Sequence, residues 1–230
     1  MASLILERTL IFHPFLEAGK IILKTNIESI QKINMGPSSL QIFLLRHGQT
    51  EWTVSGQHTS STDIPLTEEG KRQALSLKYR IEKITFDAVF CSPMKRSLDT
   101  CHLAGFKNPL IEPDAKEWNY GQYEGLTTEK IHQANPSWDL FAQGSPGGEK
   151  PEEVARRADR MIELFLRHQG KIALFSHGHF LRVLAARWIH LSVDKGKLFA
   201  LSVASVSILG FEHQKQHVLQ VWNDTHHLEM

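Results

Sequence analysis

Gln41-Ile42-Phe43-Leu44-Leu45-Arg46-His47-Gly48 is the stretch on which the fold turns. Ile42 to Leu45 is a short continuous apolar run, the pattern of a strand buried on both faces of a parallel sheet, where helices cover each side. The run ends abruptly on Arg46-His47-Gly48. Further along, Phe86 to Cys91 is a second apolar run, and Lys171-Ile172-Ala173-Leu174-Phe175-Ser176 repeats the pattern before His177-Gly178-His179. Two last runs, Ser202 to Phe211 and Val218 to Trp222, read as strands joined by a polar turn.

Helical signals fill the intervals. Leu66-Thr67-Glu68-Glu69 supplies an N-cap followed by acids in the first turn, and Ala74, Leu75, Leu77 and Ile81 share a face, so a helix is expected from about Glu68 to Lys83. Ser92-Pro93 predicts another helix start, with the cap hydroxyl ahead of proline at the first helical position. Val154, Ala158, Met161 and Phe165 recur at helical spacing, with Gly170 expected to close that helix; Leu181, Leu184, Ala185 and Trp188 mark one more. Strands alternating with helices imply an α/β three-layer sandwich with a mostly parallel central sheet flanked by helices.

The chain has 230 residues with 41% apolar content, enough for a real core in a single domain. Its 25 acidic and 26 basic residues nearly cancel, so no global field draws it to nucleic acid or to an anionic membrane, and an anionic ligand must be met by local cations. Cys91 and Cys101 are too few for a disulfide framework and read as free thiols of a cytoplasmic protein. Leu4 to Met35 is interrupted by Glu7, Arg8, Glu17, Lys20 and Lys24, short of the ~20 clean apolar residues of a membrane span and without the layout of a secretory signal. Residues 1–39 are expected to be an N-terminal extension outside the core, with Met35-Gly36-Pro37 a natural start, and residues 40–230 the working domain. Nothing in the sequence speaks to oligomeric state.

Ligands of open α/β sheets collect beyond the carboxyl ends of strands, where two strands here end in similar tripeptides, Arg46-His47-Gly48 and Ser176-His177-Gly178. One such histidine alone reads as a core or capping residue; two at matching positions put two imidazoles on one crevice. Arg96, after the third strand end, joins Arg46 as a second cation. Guanidinium forks match phosphate oxygens, so the pair suggests a phosphoryl group, against the plainer reading that each pairs with a surface carboxylate. His177 and His179 alternate like metal ligands, but no cysteine or acid stands at ligand spacing, so no metal site is expected. His226-His227 reads as a solvated tail. Trp52, Trp118, Trp138, Trp188 and Trp222 read as core or pocket walls rather than a base-stacking platform.

Leu45-Arg46-His47-Gly48-Gln49-Thr50-Glu51-Trp52 resembles the defining motif of the histidine phosphatase superfamily, in its phosphoglycerate-mutase-like branch. Four further blocks agree in order: Thr59 to Asp63 with Pro65-Leu66-Thr67, Ser92 to Arg96, Glu117 to Gly125, and Ser176-His177-Gly178-His179. Five ordered blocks over Gln41 to about Trp222 are specific where a lone Arg-His-Gly is weak.

The resemblance implies that His47 is the nucleophile, that Arg46, Arg96 and His177 complete a phosphate pocket, and that Glu117 donates the proton. Its neighbour Glu124 then takes a structural hydrogen-bonding role. No cofactor or metal is implied, and the partner is a small phosphate ester. The implied substrate contacts are Arg46, Thr53, Thr59, Ser60, Arg96, Glu117, Tyr120, Gly178 and His179. Three positions depart from the family's common residues: Thr53 stands for asparagine, Thr59-Ser60 for Thr-Gly, and His179 for the asparagine of mutases. Only 59 residues separate Glu117 from His177, where mutases carry a longer covering insert. The implied activity is hydrolysis of sugar phosphates or related metabolites; the alternatives are a phosphoglycerate mutase and an inactive phosphate-ester-binding regulatory protein.

Overall fold

The computed structural model describes residues 39–213 and 215–229. The expected N-terminal extension, Ser39 apart, lies outside the described residues. Six strands form one sheet: β1 (Gln41–Arg46), β2 (Ala88–Cys91), β3 (Leu110–Ile111), β4 (Lys171–Ser176), β5 (Val206–Glu212) and β6 (Gln216–Asp224). Their order is β3-β2-β4-β1-β5-β6, with β1 to β4 mutually parallel and β5 and β6 antiparallel additions. The mostly parallel sheet expected from the alternation is therefore present. The seven α-helices described are α1 (Glu51–Ser55), α2 (Glu68–Ile81), α3 (Lys95–Leu103), α4 (Thr128–Ala134), α5 (Leu140–Gln143), α6 (Pro151–Phe165) and α7 (Gly178–Trp188).

The central strands explain their own apolar runs. Side chains alternate across a strand, so Ile42 and Leu44 of β1 and Ile172 and Leu174 of β4 enter one core with α6 and α7, while Phe43, Leu45, Ala173 and Phe175 enter a second core with α2 and α3. Each fully buried leucine or phenylalanine contributes roughly 1.5–3 kcal/mol. Both faces are therefore committed, and a polar residue at any of these positions would strip one layer of helices.

Helix α2 starts as the sequence predicts, with the Thr67 hydroxyl accepting from Gly70 N at 2.9 Å and Glu68 and Glu69 in the first turn. Helix α3 does not. Its N-cap is Met94 and its first residue Lys95, two positions beyond the expected Ser92-Pro93 start, because the Ser92 hydroxyl is engaged with His177 instead. Gly170 does not close α6 either, since that helix ends at Phe165; Gly170 takes φ +68° at the entrance to β4 and its carbonyl accepts from Gln41 N. His227 is not solvated: it is buried, with Nε2 3.0 Å from Ala204 O, whereas His226 is exposed.

Register sets the site. Arg46 pairs with Ser176 and Cys91 with Phe175, so the chain leaves β1, β4 and β2 at one level. His47 N donates to Ser176 O at 3.0 Å and Ser92 N to Phe175 O at 3.0 Å, which extends the ladder by one residue and aligns Arg46-His47, Ser176-His177 and Cys91-Ser92 on one edge.

Candidate active site

His47 lies at that edge, 4% exposed, with Nδ1 2.8 Å from the carbonyl of Gly48. A carbonyl only accepts, so Nδ1 carries the proton and Nε2 the lone pair. Burial, followed by the charges of Arg96 and Arg46, holds the imidazole well below its ordinary range, so it is neutral near pH 7. The loop that carries it is fixed by Gly48 N donating to Thr100 Oγ1 at 3.0 Å, the same hydroxyl donating to Arg96 O at 2.7 Å.

The His177 ring stands 5.2 Å from that of His47, centroid to centroid, and is likewise kept neutral, by burial and then by Arg96. Its Nε2 lies 2.8 Å from Ser92 Oγ, which also accepts from Met94 N at 3.4 Å. Ser92 can thus give its own proton to Nε2, leaving the N–H on Nδ1, which has no partner. Arg96 donates to the carbonyls of Thr59, Thr62 and Ser60 at 3.1–3.2 Å, and Arg46 Nη1 to Leu201 O at 2.5 Å. The Nε of each arginine is buried and unpartnered. Three of the five such orphaned side-chain atoms among the described residues therefore belong to Arg46, Arg96 and His177. Buried polar groups are ordinarily bonded, so their concentration beside His47 marks a place built to donate hydrogen bonds to an oxyanion.

Glu117 reaches the same place from a different segment. Its carboxylate accepts from Trp118 N (2.9 Å), Phe180 N (2.8 Å) and His179 N (3.0 Å), and so caps α7, whose own N-cap His177 makes no side-chain cap. Arg157 clamps the segment behind it, donating to the carbonyls of Asp114, Lys116 and Glu117 while paired with Glu149 at 2.7 Å. Glu124 faces elsewhere: it accepts from Ser60 N, Thr62 N and the Ser60 hydroxyl, bracing the 59–62 loop that Arg96 holds from the other side.

A cavity of about 260 Å³ opens over these groups, lined by Arg46, His47, Glu117, Thr53, Thr59 and Tyr120, together with Gly178 and His179. Arg96 and His177 lie fully buried beneath it rather than in its wall. Thr53 is in the wall, but its hydroxyl proton goes to Thr50 O in a capping box. Ser60, expected among the substrate contacts, is not brought to the cavity: Glu124 turns its hydroxyl away, and the residue lines a neighbouring cleft. Tyr120, kept protonated by burial and the nearby Glu117 charge, lies with its hydroxyl 2.6 Å from Nδ1 of the neutral His179.

Among the wall residues that escaped the sequence reading are two ionisable ones, His58 and Arg182. His58 packs on Tyr120 with ring centroids 4.7 Å apart, and burial lowers its pKa to about 4 against the opposing charge of Glu124. Arg182 lies one helical turn after Gly178, and that i, i+4 spacing was the available signal. Among the described residues no group of three or more His, Cys, Asp or Glu stands together as a metal site, and no helix is long and apolar enough to cross a membrane.

Comparison with known proteins gives the family. The family model for the histidine phosphatase superfamily, branch 1, covers residues 42–225. The chain is 40% identical over 183 residues to an acid phosphatase of Mycobacterium tuberculosis, covering 78% of this chain and 90% of that one. It is 33% identical over 189 residues to the sedoheptulose 1,7-bisphosphatase of Saccharomyces cerevisiae, covering 66% and 68%. A solved structure of an open reading frame product from Mycobacterium tuberculosis superposes with a TM-score of 0.77 at 39% identity, over 80% of this chain and 96% of the other. The chain belongs to the histidine phosphatase superfamily, branch 1, as an enzyme of the phosphoric monoester hydrolase class.

Proposed function

We propose that this protein is a metal-independent phosphatase that hydrolyses small phosphate monoesters, sugar phosphates or related metabolites, through a phosphohistidine on His47. The observation that carries the reading is a neutral imidazole with its lone pair on Nε2, set beside the unpartnered donors Arg46 Nε, Arg96 Nε and His177 Nδ1. Nε2 attacks phosphorus as the ester P–O bond breaks, and the leaving oxygen takes a proton from Glu117. Water then attacks the phosphohistidine, Glu117 recovers a proton from it, the P–N bond breaks, and His47 returns as imidazole. The bond from Nδ1 to Gly48 O strengthens as the phosphorylated ring gains positive charge, while the arginines stabilise the equatorial oxygens.

Thr53, Thr59, Tyr120, Gly178 and His179 contact the remainder of the ester in this reading. A cavity of about 260 Å³, below the roughly 300–1,000 Å³ of sites for drug-sized ligands, supports a small substrate, and the name of the yeast relative supports a sugar phosphate. The local cations supply the charge a metal would otherwise provide. Two free, buried cysteines support a cytoplasmic setting. Glu117 also lines a second cleft of about 400 Å³ with Ser61, Met94 and Lys116.

His47→Ala is expected to abolish hydrolysis of p-nitrophenyl phosphate with thermal unfolding nearly unchanged. With 3-phosphoglycerate and catalytic 2,3-bisphosphoglycerate, free phosphate is the expected product. Rapid formation of 2-phosphoglycerate with little phosphate would make the protein a mutase instead.

A further inference from the structure

Arg182 is a cation of the cavity wall that the phosphoryl chemistry above does not use. Its guanidinium is already fixed in place: Nε donates to Gly196 O at 3.1 Å, Nη2 to Lys197 O at 2.9 Å, and the group lies 4.7 Å over the ring of Phe141. Nη1 makes no hydrogen bond among the described residues, and no carboxylate forms an ion pair with Arg182 there. A preformed fork loses little side-chain entropy when it takes an anion.

Charge balance points the same way. The cavity wall carries Arg46, Arg182 and Glu117, with Arg96 beneath. Glu124 faces the 59–62 loop. When Glu117 holds the proton it will donate, Arg46 and Arg96 face the dianionic phosphate, with Asp63 and Glu124 also acting on Arg96, and Arg182 is left in the cavity wall without an ion-pair partner among the described residues. Burial disfavours both Arg46 and Arg182, the charge of Arg182 adds to that at Arg46, and Glu117 opposes it at both, so a further anion beside Arg182 would act in the same direction as Glu117.

We infer that Arg182 receives a second anionic group on the leaving-group side of the substrate, so that preferred esters carry a carboxylate or a second phosphate besides the phosphoryl that is cleaved. The inference rests on the phosphatase reading and deepens it. Beside Arg182, the neutral His179 ring lines the same part of the cavity, bonded through Nδ1 to the Tyr120 hydroxyl.

The test compares matched esters: glycerol 3-phosphate with 3-phosphoglycerate for the carboxylate, and fructose 6-phosphate with fructose 1,6-bisphosphate for the second phosphate. Wild type is expected to show kcat/KM at least ~10-fold higher for the more charged member of one pair, and that pair identifies the anion. Arg182→Met should erase the preference chiefly through KM, and Arg182→Lys should restore part of it. A preference absent from both pairs, or one that survives Arg182→Met, overturns the inference. So does an equal loss on both members of each pair, which would make Arg182 only a brace for the Gly196-Lys197 carbonyls. Turnover of p-nitrophenyl phosphate with none of the four esters cleaved overturns the inference alone. No turnover of any of the five overturns the phosphatase reading with it.

Discussion

Gly178→Ala separates activity from stability at a single methyl group. A Cβ at Gly178 would lie 3.1 Å from Arg46 Cζ and 3.3 Å from its Nε and Nη2. Carbon contacts are comfortable at about 3.5–4.0 Å, so the guanidinium must retreat by about half an ångström. It cannot do so freely, because Nη1 is held by Leu201 O at 2.5 Å. A 1 Å misplacement in an active site can cost ~100-fold, so half of that predicts a loss of about tenfold in kcat/KM, ~1.4 kcal/mol of transition-state stabilisation. Stability should move little. Gly178 is the first residue of α7, where alanine restricts the unfolded chain and contributes up to ~1 kcal/mol, which offsets the local crowding. The assay pairs steady-state hydrolysis of p-nitrophenyl phosphate with thermal unfolding. A folded variant with kcat/KM within twofold of wild type would refute the placement of Arg46 Nε as a phosphate donor.

Glu117→Gln should impair alkyl phosphates by about 10²–10³ and p-nitrophenyl phosphate by about tenfold or less, since only the former need a proton on the leaving oxygen; equal losses would remove Glu117 as the acid. The same variant sets an amide NH₂ against one of the three N–H groups from which the Glu117 carboxylate accepts, two of them in the first turn of α7, so its unfolding temperature should fall by the equivalent of ~1–3 kcal/mol. His47, His58, His177 and His179 are all held below the ordinary imidazole range by burial. The unfolded chain therefore binds more protons below about pH 6.5, and the stability these groups contribute, fully present above that pH, is lost on acidification. For His58 the loss runs from about 6.5 down to about 4, and amounts to about 3 kcal/mol; urea unfolding of wild type and His58→Gln from pH 7 to 4 should show a shallower slope in the variant. EDTA should leave the rate intact, and a large loss restored by zinc or magnesium would contradict the cation inventory.

The legible parts of the fold are those with both faces buried. β1 and β4 extend just one residue beyond each end of their apolar runs, because successive side chains alternate between the two cores. β3 has only two residues, Leu110 and Ile111, both about half exposed, and leaves no pattern to read. The short helices α1, α4 and α5 lack the length for an amphipathic repeat. Ser92 misled because its hydroxyl has two possible partners, a helix start and the distant His177, and only the folded register decides between them. Likewise Ser60 resembles a mouth residue until Glu124 takes its hydroxyl.

In the site, the residues that end strands could be found from sequence, since Arg46, His47 and His177 follow directly from the apolar runs. Those brought in by long-range contacts could not. Arg157, which positions the Glu117 segment, lies on α6 outside the apolar stripe of Val154, Ala158, Met161 and Phe165, yet it is buried against the carbonyls of Asp114, Lys116 and Glu117. His58 sits in a loop with no periodicity, and its neutral ring is a consequence of packing on Tyr120 and Trp138.

The central claim is that phosphate passes through a bond to Nε2 of His47. Rapid-quench labelling with a radioactive phosphate ester tests it: the enzyme is stopped in alkali, digested, and the labelled peptide identified. Acid-labile, alkali-stable phosphate on the peptide bearing His47, absent in His47→Ala, is the result predicted. Label on His177 or on a serine, or rapid turnover by His47→Ala, would contradict it.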